Sequence, residues 1–451
     1  MIYNEGQLNA INTIVSFINK PPQTTDDYFI TLEGFAGTGK STIIKEIISK
    51  LNNKKIVVSA PTHKAKKVIS KFTDLKAETI QALLGLRPNT DLADFNHIKP
   101  QFDVKAEEKI QNYDVLFIDE TSMLPYLLKK LIEEKAIVFH VKVIYMGDKL
   151  QTPPVGEKVS KVFLNKNRVE LNEIVRQSNE NPNQELIEIA RNDVRDRTDN
   201  FLSFIKNTEN KINNKGEGFF IQNQEDYYNS LLDNYFDNSY KDNIDLVKIL
   251  TWKNASAKKI NAFIRRKIIN SDELVAVGDI LTGYNTISKE LPKPPYYVNI
   301  VENSVDYIVT DVIIEERSIC STIIKGYRTY VKDNAEPIFI LHKDSYSDFR
   351  EELKRRLEIA KTGFGQWKQY YTFKNQIILM EPFYNGKGHI LVDKDIDYGY
   401  AITVHKSQGS TYENVGINVN DIMQNCTPNE RRSLLYVAVS RTSKVNRLYA
   451  K

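Results

Sequence analysis

The feature that most constrains the fold of this chain is a glycine-rich segment, Gly34-Phe35-Ala36-Gly37-Thr38-Gly39-Lys40-Ser41, which fits G-x-x-x-x-G-K-[ST] at every fixed position. An apolar run at 28–32 precedes it, and isoleucines at helical spacing between 43 and 48 follow it. In such a strand–loop–helix unit, glycines let backbone N–H groups close around a phosphate, and the helix N-terminus attracts the anion. We therefore expect Lys40 to reach the β- and γ-phosphates of a nucleotide and Ser41 to bind Mg²⁺.

The other apolar runs indicate two α/β units separated by a segment of different character. Runs rich in β-branched residues, the pattern of parallel strands covered on both faces, lie at 55–60, 115–118, 143–146, 246–252, 401–404, 415–419 and 446–449. Segment 278–395 instead carries short β-type runs and one highly charged helix, which predicts an inserted, mostly β domain. Polar residues follow the α/β strands at their carboxyl ends, the edge where ligands bind in open α/β sheets.

Composition excludes several classes of protein. The 451 residues are 41% hydrophobic and 27% charged, as in ordinary globular proteins, and a net charge of +4 excludes a histone-like character but not local nucleic-acid-binding patches. Two cysteines are too few for a disulfide scaffold and fit a reducing compartment. No apolar run reaches 18 residues, and the N-terminus lacks the pattern of a signal peptide. We therefore expect a cytoplasmic protein (in the host cytoplasm if viral) without a membrane partner.

A pair of carboxylates, Asp119-Glu120, ends the apolar run at 115–118. Beside a phosphate-binding loop, Asp119 is expected to hold Mg²⁺ and Glu120 to activate the attacking water. A GTPase would also carry an Asn/Thr-Lys-x-Asp motif to select guanine, and the sequence has none. A nucleotide kinase would be shorter and would not explain the second α/β unit, so these residues alone indicate a P-loop NTPase that uses Mg²⁺.

Read in order, these and further segments resemble the motifs of superfamily 1 DNA helicases of the RecD/Dda-like branch. The resemblance covers most of the chain: a glutamine element at 5–7 and motifs I (34–41), Ia (60–65), Ib (79–83), II (119–123), III (147–155), IV (171–176), V (403–411) and VI (436–442). Motifs III, V and VI are the most specific, and motif Ib and the glutamine element are loose. No nuclease-type carboxylate cluster and no Cys/His metal spacing accompanies them in the sequence.

The resemblance implies an α/β fold with two RecA-like parallel-sheet P-loop domains and the nucleotide between them. It implies that Gln7 reads the adenine, that Gln151 senses the γ-phosphate, and that Arg176 and Arg441 act as internal arginine fingers. The implied catalytic residues are Lys40, Asp119, Glu120, Gln151, Arg176 and Arg441; the implied nucleotide-binding residues are Gln7, Gly37, Thr38, Gly39, Lys40, Ser41, Thr42 and Gly409; the implied metal ligands are Ser41 and Asp119.

For DNA, hydroxyl, imidazole and ammonium groups in the strand-end loops suit contacts to phosphates. The candidates are Thr62, His63, Lys64, Thr79, His405 and Lys406, with Lys64, Lys67 and Lys71 on one helix face. A solvated lysine face is an equal alternative for the last three. Phe95 or Phe102, in the segment where the family places a strand-separating pin, is a candidate wedge, although ordinary packing of the pin is the stronger alternative.

The resemblance also sets the expected domain boundaries. Domain 1A spans 1–84 and 110–168, the pin 1B spans 85–109, domain 2A spans 169–277 and 396–451, and an SH3-like accessory domain 2B spans 278–395. Aromatic and basic residues of the insert, among them Trp367 and Tyr370, suit stacking on single-stranded DNA (ssDNA) or packing of the insert's own core.

These observations predict an ATP-dependent DNA helicase and ssDNA translocase, with 5′-to-3′ movement implied by the resemblance alone. Its expected partners are ssDNA, duplex junctions and candidate ssDNA-binding or replication proteins, and one chain suffices for the site, so we expect a monomer. One alternative is an ssDNA-stimulated ATPase that translocates or displaces proteins without unwinding. Another is a non-catalytic module that uses ATP as a switch, which the set of Lys40, Asp119, Glu120, Gln151 and Arg441 argues against.

Overall fold

In the part of the chain that the structure describes, the large sheets are two mainly parallel six-stranded sheets and one antiparallel five-stranded sheet, and three two-stranded antiparallel sheets accompany them. The computed structural model describes residues 3–61, 63–75, 77–88, 102–104, 107–154, 156–173, 181–290, 297–362, 367–385 and 388–450. The first lobe contains α1 (Glu5–Asn19), β1 (Phe29–Gly34), α2 (Lys40–Ser49), β2 (Ile56–Ala60), α3 (His63–Thr73), β3 (Ala77–Thr79), α4 (Ile80–Leu83), β4 (Leu86–Pro88), β5 (Phe102–Val104), β6 (Val115–Ile118), α5 (Tyr126–Val138), β7 (Lys142–Gly147) and β8 (Arg168–Leu171).

Six strands of this lobe form a parallel sheet in the order β3-β2-β6-β7-β1-β8. Every residue of β1, β6 and β7 is buried, as expected for strands covered on both faces. On one face Ile14 of α1 and Ile43 and Ile44 of α2 pack against the sheet, and on the other Ile132 of α5 does so. β4 and β5 pair antiparallel at the base of the predicted pin.

The edge of the first sheet corrects one predicted boundary. β8 pairs in parallel with β1, with Leu32 opposite Val169 and Gly34 opposite Leu171. Residues 169–171 therefore belong to the first sheet, although the resemblance implied that domain 2A begins at 169. The alternation of buried and exposed residues along β8 is that of an edge strand, a weaker signal than the continuous runs of the central strands.

The remaining elements follow in chain order: α6 (Asn183–Asp196), α7 (Asn200–Asn207), β9 (Lys211–Ile212), β10 (Gly218–Gln222), α8 (Gln224–Phe236), β11 (Val247–Thr251), α9 (Asn254–Ile268), β12 (Ile280–Gly283), β13 (Ile287–Glu290), β14 (Tyr297–Val301), β15 (Asp306–Ile319), β16 (Thr322–Val331), β17 (Ile338–Leu341), α10 (Tyr346–Lys361), α11 (Trp367–Lys374), β18 (Phe383–Tyr384), β19 (Ile390–Val392), β20 (Ile396–Tyr398), β21 (Ala401–Thr403), β22 (Tyr412–Asn418), α12 (Val419–Ile422), α13 (Pro428–Val439) and β23 (Thr442–Tyr449).

The second lobe is built from both sides of an insert. Its sheet has the order β21-β11-β22-β23-β10-β9 and is parallel except for β9. β11 precedes the insert yet lies between β21 and β22, which follow it, so the insert must return the chain to the same sheet. This confirms the predicted fold class of two parallel α/β units separated by a mostly β segment.

The insert forms an antiparallel sheet in the order β17-β16-β15-β12-β20. β20 pairs with β12, with Thr282 opposite Asp397, so residues 396–398 belong to the insert and not to domain 2A as predicted. Tyr370 of α11 is buried in the insert's core, and Lys374 Nζ lies 2.5 Å from Asp395 Oδ1. These side chains serve the insert's own packing. Among the residues that the structure describes, no helix has the length and apolar character needed to cross a membrane.

Candidate active site

The glycine-rich loop joins β1 to α2 at the carboxyl edge of the first sheet. Gly37 and Gly39 have φ values of 87° and 81°, a left-handed conformation that glycine adopts without steric cost. The loop closes on itself through Lys40, whose Nζ donates to Gly34 O at 2.6 Å and to Phe35 O at 3.0 Å. Ser41 and Thr42 follow in the first turn of α2, half-buried. The loop thus has the backbone and the cation that phosphate binding requires.

Gln7, the residue predicted to read adenine, lies against this loop. Its Nε2 donates to Thr38 O at 3.2 Å, and its Oε1 accepts from Asn4 N at 3.2 Å. A Cβ on Gly39 would stand 2.5 Å from Gln7 Nε2, so glycine is needed there for this approach as well as for its backbone. The first turn of α1 and the phosphate loop therefore form one structural unit.

The two carboxylates follow β6. In the sheet, only β7 separates β6 from β1, the strand that leads into the glycine-rich loop. Asp119 N donates to Ser59 O at 2.9 Å, and Asp119 Oδ1 accepts from Glu120 N at 2.9 Å. Glu120 has φ 54° and ψ 38°, a conformation that costs a non-glycine residue about 1–2 kcal/mol and is typical of functional sites. Thr121 Oγ1 donates to Met146 O at 2.9 Å and so ties this turn to β7.

The second lobe reaches this site through motif V. Gly409 has φ 73°, and a Cβ on it would lie 3.0 Å from Ala65 Cβ and 3.5 Å from Glu120 Cγ. The backbone of the second lobe therefore contacts both the carboxylate turn and α3 of the first lobe. This contact places the predicted Gly409 at the site.

Arg441 supplies a buried guanidinium at the end of α13. Its side chain donates to Val437 O at 3.1 Å, to Ser410 O at 3.3 Å and to Ser440 Oγ at 2.9 Å. Only 5% of the residue is exposed, and within the described ranges no carboxylate forms an ion pair with it. A buried cation whose partners are all neutral is suited to an anionic ligand. The other predicted finger, Arg176, lies outside the described residues.

Four of the buried polar atoms without a hydrogen-bond partner in the described part of the chain lie where the lobes meet. They come from motif III of the first lobe and motif V of the second: Gln151 Oε1, Thr152 Oγ1, Gln408 Oε1 and Ser410 Oγ. Gln408 Nε2 donates to Thr152 O at 3.5 Å across the interface. Buried polar groups are almost always satisfied in folded proteins, so these atoms fit a polar ligand such as a phosphate with its water. This includes the predicted γ-phosphate sensor, Gln151.

Two contacts between the loop and the second lobe were not predicted. Tyr436 OH donates to Asp148 Oδ2 at 2.6 Å, and Ala36 N donates to both of these oxygens at 3.2 Å. The guanidinium carbon of Arg191, on α6, lies 4.9 Å from the ring centroid of Phe35. Asp148 and Tyr436 lie within motifs III and VI, so the motifs could have singled them out. Arg191 lies in no motif, and the sequence offered no means of finding it.

The predicted DNA-binding residues other than the lysines fall into two groups. Thr62 and Phe95 lie outside the described residues, as do the side chains of His63 and Phe102. Thr79 Oγ1 accepts from Ala82 N at 3.2 Å and caps α4. His405 Nε2 lies 3.7 Å from Glu430 Oε1, and burial lowers the pKa of His405 while Glu430 opposes the shift. Thr79 and His405 remain candidates.

The lysines of this set are bound by the insert and the second lobe. Lys64 Nζ lies 3.2 Å from each of three oxygens, Asp245 Oδ1, Asp306 Oδ2 and Tyr412 OH. Burial alone would lower the pKa of Lys64, but these three neighbours raise it above its ordinary value. The ammonium is therefore already paired in this arrangement, which the sequence pattern did not predict.

Lys406 contacts the insert too. Its Nζ donates to Gly283 O at 3.0 Å and lies 3.5 Å from the ring centroid of Tyr284. Lys67 likewise pairs with Glu302 of the insert, with Nζ 2.7 Å from Oε2. The insert thus covers part of the surface that the sequence assigns to DNA.

Comparison with known proteins agrees with this geometry. A family model described as an AAA domain matches residues 3–207, and one described as the UvrD-like helicase C-terminal domain matches residues 398–449. The ATP-dependent DNA helicase dda of Enterobacteria phage T4 is 28% identical over 469 residues, covering 97% of this chain and 97% of the relative. An uncharacterized protein, R530, of Acanthamoeba polyphaga mimivirus is 27% identical over 98% of this chain and 99% of its own length.

A solved structure shows the fold as well. The Pif1 helicase from Bacteroides, crystallised with ADP-AlF3 and ssDNA, superposes with a TM-score of 0.52 at 20% identity, over 99% of this chain and 92% of the other. The sheets described above are accordingly two RecA-like domains. Taken with the order and spacing of the motifs around the inter-lobe site, these matches make the chain similar to the superfamily 1 DNA helicases of the RecD/Dda-like branch.

Proposed function

We propose that this chain is an ATP-dependent DNA helicase and ssDNA translocase that moves 5′ to 3′. The observation that carries the proposal is that Gly409 of one lobe lies beside Glu120 of the other, so that a Cβ on Gly409 would stand 3.5 Å from Glu120 Cγ. A site built from both lobes changes their contact whenever its ligand changes. The names of the relatives, a phage DNA helicase and a Pif1 helicase crystallised with ssDNA, support DNA as the polymer.

In the first lobe, Lys40 exchanges the carbonyls of Gly34 and Phe35 for phosphate oxygens when ATP binds. Ser41 and Asp119 would hold Mg²⁺, which neutralises phosphate charge when bound. The described residues contain no cluster of three or more His, Cys, Asp or Glu side chains suited to a metal. A site of one hydroxyl and one carboxylate fits a cation that keeps phosphate and water ligands.

Glu120 orients the attacking water and accepts its proton, and its left-handed backbone points the side chain from the strand end toward the cleft. Arg441 brings a positive charge from the second lobe to the charge that develops on the γ-phosphate. Gln151 supplies an unpaired buried oxygen beside that group. Once the γ-phosphate leaves, the anion that attracts Arg441 is gone and the lobes separate, which moves one lobe along the DNA.

DNA contacts are proposed for Thr62, His63, Thr79 and His405 at the strand ends, where they would bind phosphates without reading sequence. The hairpin of β4 and β5 is proposed as the base of a strand-separating pin, with Phe95 or Phe102 as its wedge. The insert is proposed as an SH3-like accessory domain that closes over the track. Because both lobes come from one chain, the active form is proposed to be a monomer.

The test is strand separation on two partial duplexes, one with a 5′ and one with a 3′ single-stranded tail, with ATP and with Lys40→Ala as the inactive control. Unwinding from the 5′ tail alone is the expected result. Unwinding from the 3′ tail alone overturns the polarity. If neither duplex opens while ssDNA still stimulates ATP turnover, the chain is a translocase that does not unwind, and the helicase proposal is wrong.

A further inference from the structure

The hydroxyl of Tyr436 joins three parts of the molecule that nucleotide chemistry must coordinate. Tyr436 lies in the last turn of α13 in the second lobe, Asp148 follows β7 in the first lobe, and Ala36 lies in the phosphate loop. The hydroxyl donates to Asp148 Oδ2 at 2.6 Å and accepts from Ala36 N at 3.2 Å. Tyr436 is fully buried and only 1% of Asp148 is exposed, so water does not screen these hydrogen bonds.

The Tyr436 hydroxyl keeps its proton at neutral pH and above. Burial raises the pKa of the Tyr436 hydroxyl, and the Asp148 carboxylate raises it further, against smaller opposing effects of Ala36 and Arg441. The hydroxyl is therefore a lasting donor to a carboxylate, a charge-assisted bond stronger than a neutral one. Asp148 is itself fixed, since its Oδ1 accepts from Leu150 N at 3.0 Å.

The loop residues that this contact involves are not the ones expected to hold phosphate. Gly37 to Thr42 form the predicted phosphate cradle, whereas Phe35 and Ala36 face the second lobe. Phe35 packs against the core of that lobe and lies under Arg191. The loop thus has one side for the nucleotide and one for the other lobe, and a shift of the loop must change both.

The same helix end carries Arg441. Its Nε donates to Val437 O, the carbonyl of the residue next to Tyr436. A bond that fixes Tyr436 to the loop therefore also fixes the position from which Arg441 approaches the nucleotide. We infer that Tyr436 is a positioning residue for ATP hydrolysis, which couples the phosphate loop and Asp148 to the arginine of the second lobe. This inference rests on the proposed ATP hydrolysis at the inter-lobe site.

The test is Tyr436→Phe, which removes one oxygen and keeps the buried ring. We expect the ssDNA-stimulated kcat for ATP to fall about tenfold or more, because a hydrogen bond to a charged group is lost from the arrangement needed for hydrolysis. The dissociation constant for a fluorescent ADP with Mg²⁺ should stay within about threefold of wild type, because the hydroxyl does not face the cradle. A role in stability alone would not separate these two readouts.

The matched control is Tyr235→Phe, the same change at a fully buried tyrosine of the same lobe, whose hydroxyl has no hydrogen-bond partner among the described residues. It should leave kcat within about twofold of wild type. Asp148→Asn approaches the contact from the first lobe and should also lower kcat. In the double variant Tyr436→Phe/Asp148→Asn the two losses should be far less than multiplicative, because both remove one contact.

The outcomes separate this inference from the proposed function. If wild type does not hydrolyse ATP with ssDNA, the proposed function fails. If wild type is active and Tyr436→Phe keeps kcat within twofold, or the two losses multiply, the inference is wrong. Should Tyr436→Phe melt well below the Tyr235→Phe control, Asp148→Asn carries the test with the same expectation for kcat and ADP affinity.

Discussion

Gly409 of the second lobe lies against Glu120 of the first, and a Cβ on Gly409 would stand 3.5 Å from Glu120 Cγ. The same Cβ would stand 3.0 Å from Ala65 Cβ, closer than nearly all real contacts of this kind. A side chain at 409 must therefore either separate the lobes or displace Ala65 of α3, whereas its distance to Glu120 is an ordinary van der Waals contact. The backbone of one lobe thus helps to fix the proposed catalytic carboxylate of the other.

Gly409→Ala is expected to lower the ssDNA-stimulated kcat by about tenfold or more, because the new Cβ would push against Ala65 and widen the cleft between Glu120 and the second lobe. ADP affinity should change by less than about threefold, since the cradle lies in the first lobe. The control is Gly216→Ala in the second lobe, which has a similar φ of 75° but nothing within 4 Å of its Cβ. It carries the same backbone strain without the contact, so equal losses in both variants would contradict this account.

Glu120→Gln tests the assigned base. Glutamine keeps the size of the side chain but cannot accept a proton from water, and general bases contribute about 10²–10⁴-fold. We expect ssDNA-stimulated turnover to fall by at least the lower of these factors, while ATP binding persists. Glu170→Gln, at an exposed position of β8, should be unchanged. Turnover of Glu120→Gln within about tenfold of wild type would show that another group activates the water.

A further prediction concerns Asp306 at the junction of the three domains. Its Oδ2 lies 3.2 Å from both Lys64 Nζ of the first lobe and Lys248 Nζ of the second, and its Oδ1 accepts from Thr282 Oγ1 of the insert. Burial disfavours the charged form, but Lys248 and Lys64 hold the pKa of Asp306 at about 2. The carboxylate stabilises the fold above its unfolded pKa, and that contribution is lost as the pH falls from about 4 toward 2.

Asp306→Asn leaves two buried ammonium groups without this partner and should lower the free energy of unfolding by about 3–5 kcal/mol. Urea unfolding at pH 7 measures it. The same experiment between pH 4 and 2 should show a smaller loss of stability in the variant than in wild type. Asp311→Asn, at an exposed position of the same strand, serves as the control, and an equal effect there would remove Asp306 from its assigned role.

The sequence predicts what local patterns encode. Continuous apolar runs correctly located the central strands of both lobes, because burial on both faces leaves an unmistakable run of apolar residues. The phosphate loop and the carboxylate pair were equally visible, since each is contiguous. β8 and β20 were assigned to the wrong domain. A short edge strand joins a sheet by pairing with a strand elsewhere in the chain, and its own residues do not show which strand that is.

The lysines show the same limit. Lys64 lies in the segment that resembles motif Ia, and its neighbours Lys67 and Lys71 suggest an exposed basic face. Asp306, which pairs with Lys64, lies in a different domain, and the spacing of residues within α3 does not predict this ion pair. Tyr436 and Asp148 stood within recognised motifs, yet only the fold brings the two motifs to one point.

The last prediction follows from the contact of Lys406 with the insert. Burial, with a smaller effect of nearby Lys394, lowers the pKa of Lys406 to about 8 against the opposing charges of Asp306, Asp397 and Asp393. The folded protein therefore binds this proton less tightly than the unfolded chain, whose lysine titrates near 10.5. Where the unfolded state binds more protons, stability rises with pH, so the contribution of Lys406 should increase between about pH 8 and 10.5.

We expect the change in melting temperature between pH 8 and pH 10 to be more positive, or less negative, in wild type than in Lys406→Met. Methionine packs over Tyr284 without a charge, so the variant should also be the more stable protein at pH 8. Lys259→Met, on the exposed face of α9, should keep the wild-type pH dependence. If Lys406→Met and Lys259→Met gave the same pH dependence as wild type, the ammonium would be fully hydrated, and the insert would not cover the lysine of motif V.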